Sequence, residues 1–358
     1  MYVYLHLPFC SSICSYCDFP KVLYDKKYID RYLDCLEEEV KSRYLDEEVV
    51  SIFIGGGTPT ALDDYELEKL LKITKIFQVK EEYEFTVESN VESLTEEKIK
   101  LLREYGVNRV SLGVQSFREE ILRELNRHHD QAMVKDVVYQ LKKCGIQNIS
   151  MDYIYGVDSF VDGVREDIQM FLELDIPHIS CYSLIVEDGT LLKIRGFQNI
   201  DDEIDREMYQ MIERMLEEKG YIHYEISNYG KEGYFSCHNL NYWNNGEYYG
   251  FGLGAVSYLD SIRRMNTRNL SKYLEREYLY QEEKEDMDIR ISNEFILGFR
   301  KLEGILISSF YQKYQKDIMK CYDVEELIHM GLLEIVDGYL RIPKRYIYSS
   351  NDILVHFK

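Results

Sequence analysis

Short apolar strands alternate with amphipathic helices over the first 184 residues, and this alternation constrains the fold more than any other feature. Residues 2–7, 49–54, 84–88, 109–115, 148–155 and 178–184 read as strands, built mostly of Val, Ile, Phe and Leu. Helices are expected between them. Residues 25–44 place Ile29, Tyr32, Leu33, Leu36 and Val40 on one face, and residues 64–77 follow a capping aspartate, Asp63 or Asp64. Residues 96–105, 132–144 and 163–174 complete the pattern. Six β/α units in series imply a parallel sheet, and six rather than eight favours an α/β fold with a partial (β/α)6 barrel.

In such a barrel the chemistry gathers where the strands end. Those ends are His6 leading into a cysteine-rich loop, Gly55-Gly56-Gly57-Thr58-Pro59, Glu88, Gln115, Asp152 and Tyr182. Bare glycines let backbone approach a ligand closely. A sharp structural turn is the competing reading, and a phosphate loop is excluded because G-x-x-x-x-G-K-[ST] is absent. Glu88 can pair with an ammonium or hydroxyl group, and Gln115 and Asp152 can hydrogen-bond a ribose or an amide. Arg127, in Leu125-Asn126-Arg127-His128-His129, supplies a guanidinium suited to a carboxylate. The adjacent histidines read as surface residues, since neighbours diverge on a helix. Each polar group has a plainer role open to it, in a network at the barrel mouth.

Cys10, Cys14 and Cys17 lie in one short loop, HLPFCSSICSYCDF. A four-iron cubane takes one ligand per iron and is normally closed by four cysteines. Here Phe19 stands two positions after Cys17, so one iron is left open. S-adenosylmethionine chelates such an iron through its amino and carboxylate groups, and radical chemistry follows. Zinc would want a fourth Cys or His, for which His6 is the only near candidate. Disulfides are not expected either: MYVYLHLPF has no basic or apolar leader pattern, and a cytoplasmic chain keeps its thiols reduced. Cys35, Cys144, Cys181, Cys237 and Cys321 are scattered singly and read as packing residues.

With 358 residues the chain has room for two or three domains. No apolar run approaches the eighteen residues of a membrane span. A formal charge of −21, from 43 basic against 64 acidic residues, argues against a nucleic-acid partner. Residues 274–288 are strongly acidic and read as a solvated linker or helix face. From Ile291 onward, helical patterns and two short strands around Asp337-Gly338 suggest a smaller, helical, winged-helix-like module. Residues 323–358 carry six acidic and four basic residues, so the module is expected to cover the barrel mouth or receive a partner rather than bind DNA.

Several longer stretches carry a resemblance: YLHLPFCSSICSYCDF, IGGGTPT, SLGVQSF followed by LNRHH, YEISNYG, CHNLNYW and NEFILGFRKLEGI. Over nearly its whole length the chain resembles the radical-SAM proteins related to oxygen-independent coproporphyrinogen oxidase, and within them the HemW heme chaperones. The resemblance implies a radical-SAM core over residues 1–230, a connecting region over 231–288 and a HemN-type C-terminal domain over 289–358. It implies that Cys10, Cys14 and Cys17 ligate a 4Fe–4S cluster, with Tyr4 beside it against the methionine part of the cofactor. Gly56, Gly57, Thr58 and Glu88 would hold S-adenosylmethionine, while Gln115, Arg127 and Asp152 fall where the coproporphyrinogen enzymes hold a second molecule of it.

Two departures favour the chaperone branch: the enzymes carry a further cysteine where this chain has Phe19, and a longer segment before the loop. His238, in His238-Asn239-Leu240-Asn241-Tyr242-Trp243, matches the heme motif of that branch, and imidazole is a common axial ligand. Relatives commonly show a histidine after the G-x-G-A stretch that follows; here Val256-Ser257 stand there. The expected function is heme binding and transfer to an acceptor hemoprotein, such as a respiratory enzyme. Peripheral membrane contact and a homodimer are compatible with it. The alternatives are coproporphyrinogen III dehydrogenation and heme binding beside a purely structural cluster.

Overall fold

The computed structural model describes residues 1–358. Six parallel strands follow one another in chain order: β1 (Tyr2–Leu7), β2 (Val49–Gly56), β3 (Val79–Asn90), β4 (Arg109–Gln115), β5 (Asn148–Tyr155) and β6 (His178–Ser183). Three short strands extend the sheet beyond the expected six. After β6 come β7 (Ile222–Glu225) and β8 (Asn228–Gly230), with β8 pairing antiparallel to β6 and β7 outermost; β9 (Tyr249–Phe251) lies parallel to β1 on the other edge. The two edges do not pair with each other, so the barrel is partial.

The helices form where caps and apolar stripes predict them. Asp25 accepts from the Lys27 amide to open Lys26–Arg43, which buries Ile29, Tyr32, Leu33, Leu36 and Val40. Asp63, not Asp64, caps Asp64–Ile73: its carboxylate accepts from the Glu66 amide while Glu66 accepts from the Asp63 amide, a reciprocal capping box. Strand β3 is longer than its apolar centre, because exposed Val79 and the charged residues Lys80 to Glu82 continue it.

Tyr249, Phe251, Leu253, Tyr273 and Leu274 join the same apolar core as the barrel strands and helices. The acidic stretch near residue 280 is neither linker nor helix. Leu279–Lys284 is the outer strand of a three-stranded antiparallel sheet with Ile262–Asn266 and Val256–Leu259, and all six of its residues are exposed. An edge strand with no buried face carries no alternation to read.

A second core, from Ile291 to Phe357, unites the helices Met287–Gly298, Ile307–Tyr314 and Val324–His329 with a small three-stranded sheet. This module does not cover the barrel mouth. It docks on the outer edge of the sheet, where the Ile226 amide donates to Arg300 at 3.0 Å and the Leu302 amide to Tyr224 at 3.2 Å. It also grips the loop after the Cys237–Trp243 helix, through Lys313 to the Asn244 and Asn245 carbonyls. No helix is long and apolar enough to cross a membrane.

Candidate functional site

A cavity of about 430 Å³ opens at the carboxyl ends of the strands, within the size range of small-molecule sites. Cys10, Cys14, Cys17, Gly56, Gly57, Thr58, Glu88, Gln115, Arg127 and Asp152 all line it. Ten of the residues singled out in the sequence thus share one wall system. Tyr4 and His238 do not.

Pairing across the ladder arranges the interior. Gly55 stands opposite His6, Glu88 opposite Ser111, and Asp152 between Gly113 and Ser180. Alternation turns all of these side chains to the inside of the barrel. A Cβ on Gly55 would come within 2.6 Å of the Glu88 carboxyl carbon, and one on Gly57 within 2.7 Å of the Phe9 carbonyl. Gly56 has a φ of +106°, and a Cβ there would run into the His6 imidazole. The glycine step therefore keeps backbone pressed against the cavity wall.

The His6 ring has both nitrogens placed. Its Nε2 lies 2.9 Å from the Pro20 carbonyl, which can only accept, so Nδ1 accepts from the Tyr4 hydroxyl at 2.9 Å. Burial lowers this imidazole to about 4 and keeps it neutral. Tyr4 does not line the cavity itself; it packs against His6 and Phe53, next to the residues that do.

Two carboxyls face the cavity from deep positions. Burial pushes Glu88 up to about 7, against the Gly56 amide that donates to it at 3.0 Å, and nearby Asp152 adds to the rise. Asp152 is pushed to about 6 by burial, with Ser180 and Ser111 opposing; the Ser111 hydroxyl donates at 3.1 Å. Gln115 sits at the end of β4 with φ of +70°, where the register shifts past Gly113. Strain of this kind in a non-glycine residue is typical of functional sites.

The cysteine loop is pinned at both ends. The Val22 amide donates to the Pro8 carbonyl and the Tyr24 amide to Cys10, each at 2.8 Å. Across the mouth, the Asn126 side chain donates to the Ile13 carbonyl at 2.8 Å and the Ser15 hydroxyl to Glu124 at 2.6 Å. The sulfurs also have donors. Thr58 Oγ1 lies 3.8 Å from Cys10 Sγ, and Arg127 Nη1 lies 3.8 Å from Cys14 Sγ. Asn90 joins the two, giving a hydrogen bond to Thr58 at 3.2 Å and accepting one from Arg127 at 2.8 Å.

This donor set fits a cluster. No three His, Cys, Asp or Glu side chains converge tightly enough to hold a single metal ion. A cubane with one ligand per iron needs no such convergence, and its thiolates welcome the Thr58 and Arg127 donors. Without a metal, burial pushes the Cys10 thiol up to about 11, so ligation would draw its proton off.

Sequence reasoning missed Asn90, Glu92 and the burial of His129. The 127–130 segment is loop, so His128 is exposed while the His129 side chain is fully buried, against the surface reading of both. The Arg127 guanidinium is already held by Asn90, by the Gly113 carbonyl at 2.7 Å and by Glu92 at 3.3 Å, leaving Nε as its unpartnered buried donor. One signal was available: Asn90 and Glu92 lie two and four residues beyond Glu88, where the polar end of this strand runs into the cavity wall.

His238 lies at the opposite end of the barrel. It is 1% exposed, level with Ser51, which is four residues and roughly 13 Å along the strand from Gly55. Nδ1 pairs with Ser51 Oγ and Nε2 with Tyr242 Oη, each at 2.9 Å, while the Glu84 carboxylate caps the helix through the Cys237 and His238 amides. Both imidazole nitrogens of His238 are thus hydrogen-bonded, and the ring packs in the floor of the barrel, away from the cavity.

The comparisons agree with this architecture. A radical SAM superfamily model matches residues 4–172, and a HemN C-terminal domain model matches residues 288–345. Relatives named heme chaperone HemW include that of Lactococcus lactis, 41% identical over 92% of this chain and 90% of its own length, and that of Bacillus subtilis, 36% identical over 99% and 98%. The Escherichia coli HemW is 30% identical over 99% of this chain and 97% of its own. The solved Escherichia coli coproporphyrinogen III oxidase HemN, described as a radical SAM enzyme, superposes with a TM-score of 0.87 at 20% identity, covering 99% of this chain and 89% of that one; this likeness bears on fold alone. Fold, cysteine loop and domain matches define a radical SAM protein with a HemN-type C-terminal domain, a class that implies a 4Fe–4S cluster and S-adenosylmethionine. Within that class the chain belongs to the heme chaperone HemW family.

Proposed function

We propose that the chain carries heme in the cytoplasm and passes it to an acceptor hemoprotein, such as a respiratory enzyme, using a radical-SAM site to do so. The observation that carries this reading is similarity to proteins named HemW along nearly the entire length. Phe19 supports it as well: it stands exposed at the cavity where the coproporphyrinogen enzymes have another cysteine.

In this reading Cys10, Cys14 and Cys17 hold the cluster. When bound, the cluster would supply one electron, through its open iron, to S-adenosylmethionine. Glu88, once ionised, pairs with the cofactor's ammonium group. Gly56, Gly57 and Thr58 leave space for its methionine portion, and Gln115 and Asp152 offer hydrogen bonds to its ribose. Arg127 braces the cysteine loop and leaves Nε toward a carboxylate. Ligation of heme by His238 requires the Cys237–Trp243 helix to leave the floor and both imidazole bonds to break.

The test is a pair of anaerobic incubations. Heme-loaded protein mixed with an apo-hemoprotein should transfer heme, read as a shift of the Soret band onto the acceptor. Reduced protein with S-adenosylmethionine and coproporphyrinogen III should yield no protoporphyrinogen. Decarboxylated product would replace this reading with the dehydrogenase. An intact cluster with S-adenosylmethionine cleavage at background would leave only a structural cluster.

A further inference from the structure

Glu92 and His129 stand outside the cofactor cradle, yet they flank Arg127, the cation beside Cys14, as Lys21 is the cation beside Cys17. Glu92 leaves the end of β3 in a short 3-10 turn, and its Oε2 lies 3.3 Å from Arg127 Nη2 and 3.5 Å from His129 Nδ1. The His129 side chain is fully buried with Nδ1 turned to Glu92 and no partner on Nε2, so it walls Glu92 in rather than linking it to solvent. Burial favours the neutral acid at Glu92, but the His129 and Arg127 contacts outweigh it and hold the carboxyl down to about 2, fully ionised. Arg127 is itself 2% exposed, and Glu92 is its charged side-chain partner.

We propose that Glu92, walled by His129, is a positioning residue that fixes the Arg127 guanidinium against Cys14 Sγ and so sets the reduction potential of the cluster. The inference rests on the reading that Cys10, Cys14 and Cys17 carry that cluster. Hydrogen bonds to cluster sulfurs and local charge are the levers by which a protein tunes such a potential. A guanidinium 3.8 Å from a thiolate stabilises the reduced, more negative state more than the oxidised one, which raises the potential. Without Glu92 the Asn90 and Gly113 bonds remain, but the buried cation loses its charged partner and the guanidinium can tilt off Cys14. Charge and position then act with opposite signs. Losing the negative charge alone would ease reduction; losing the grip on Arg127 would hinder it.

The experiment is an EPR-monitored titration of reconstituted, S-adenosylmethionine-free protein with titanium(III) citrate, which gives one electron to the cluster and is oxidised to titanium(IV). Iron content is checked at four per chain. R127Q should shift the one-electron equilibrium about tenfold toward the oxidised form, 59 mV more negative. E92Q should move the same way by less, because the Glu92 charge lies beyond the guanidinium from Cys14 and counts for less than the lost grip. E92D keeps the charge but withdraws the carboxylate from the guanidinium, and it should also move that way; it serves if E92Q fails to fold. An unchanged or more positive potential in the carboxylate variants overturns the proposal, as does an unchanged potential in R127Q. Failure of the wild type to assemble a four-iron cluster would instead overturn the underlying reading.

Discussion

Replacing His238 tests whether the floor of the barrel is packing or a ligand site. The imidazole is 1% exposed, its ring centroid lies 5.1 Å from those of Phe53 and Tyr242, and each nitrogen holds a hydroxyl at 2.9 Å. H238A removes the packing of one buried ring, about 3–5 kcal/mol for large aromatic truncations. It also strands the Ser51 and Tyr242 hydroxyls, at about 1–3 kcal/mol each if no water enters. Water can occupy a polar hole of that size and satisfy both, so the loss should settle at about 3–5 kcal/mol in urea unfolding followed by circular dichroism.

The pH dependence is a sharper signature. Burial lowers His238 to about 3 from an ordinary 6.5, so below pH 6.5 the unfolded chain binds a proton that the folded chain refuses. Wild-type stability should therefore fall, through this group, by about 1.4 kcal/mol per pH unit from 6.5 down toward 3. H238A should lack that component. Other groups contribute to the absolute profile, His6 in the same direction and Glu88 in the opposite one, but the difference between the two proteins isolates His238. A stability loss below about 1 kcal/mol, or identical pH slopes, would refute the buried placement.

Further outcomes follow from the mouth. E88Q should gain stability of about 3 kcal/mol near pH 8, because raising pH from about 4.5 through 7 charges a buried carboxyl that glutamine does not have; isothermal titration should show S-adenosylmethionine binding weakened at least about tenfold. In the wild type that binding should weaken as pH drops below about 7 and Glu88 takes up a proton, while E88Q stays flat. G56A combines a left-handed backbone with a collision against His6, so it should lose about 2 kcal/mol or more in thermal unfolding together with cofactor affinity. C14S should abolish the four-iron cluster, seen as lost iron and visible absorbance.

What the sequence made legible is the repeating part. Strands β1, β4 and β5 match the residue ranges that periodicity picks out, because buried parallel strands are near-continuous apolar runs. Residues 79–83 and 279–284 escaped because polar strands with exposed faces carry no hydrophobic period. Strand β9 escaped because three residues beside glycines are too few to show one.

The cavity wall was legible for a related reason: polar residues ending apolar strands must share a mouth. The Asn90–Arg127–Glu92 network was not, since it depends on how two loops meet in space. His238 marks the limit of motif reading. The motif says that the imidazole matters; only the fold shows that Ser51 and Tyr242 already hold it.

Three cysteines in the loop would hold a cubane with one iron open to S-adenosylmethionine. Anaerobically reconstituted protein, reduced and examined by EPR with and without S-adenosylmethionine, tests it directly. Four irons per chain are expected, with a reduced-cluster signal whose g-values change when the cofactor is added. A signal indifferent to the cofactor, or a site that assembles only with a single metal ion, would contradict it.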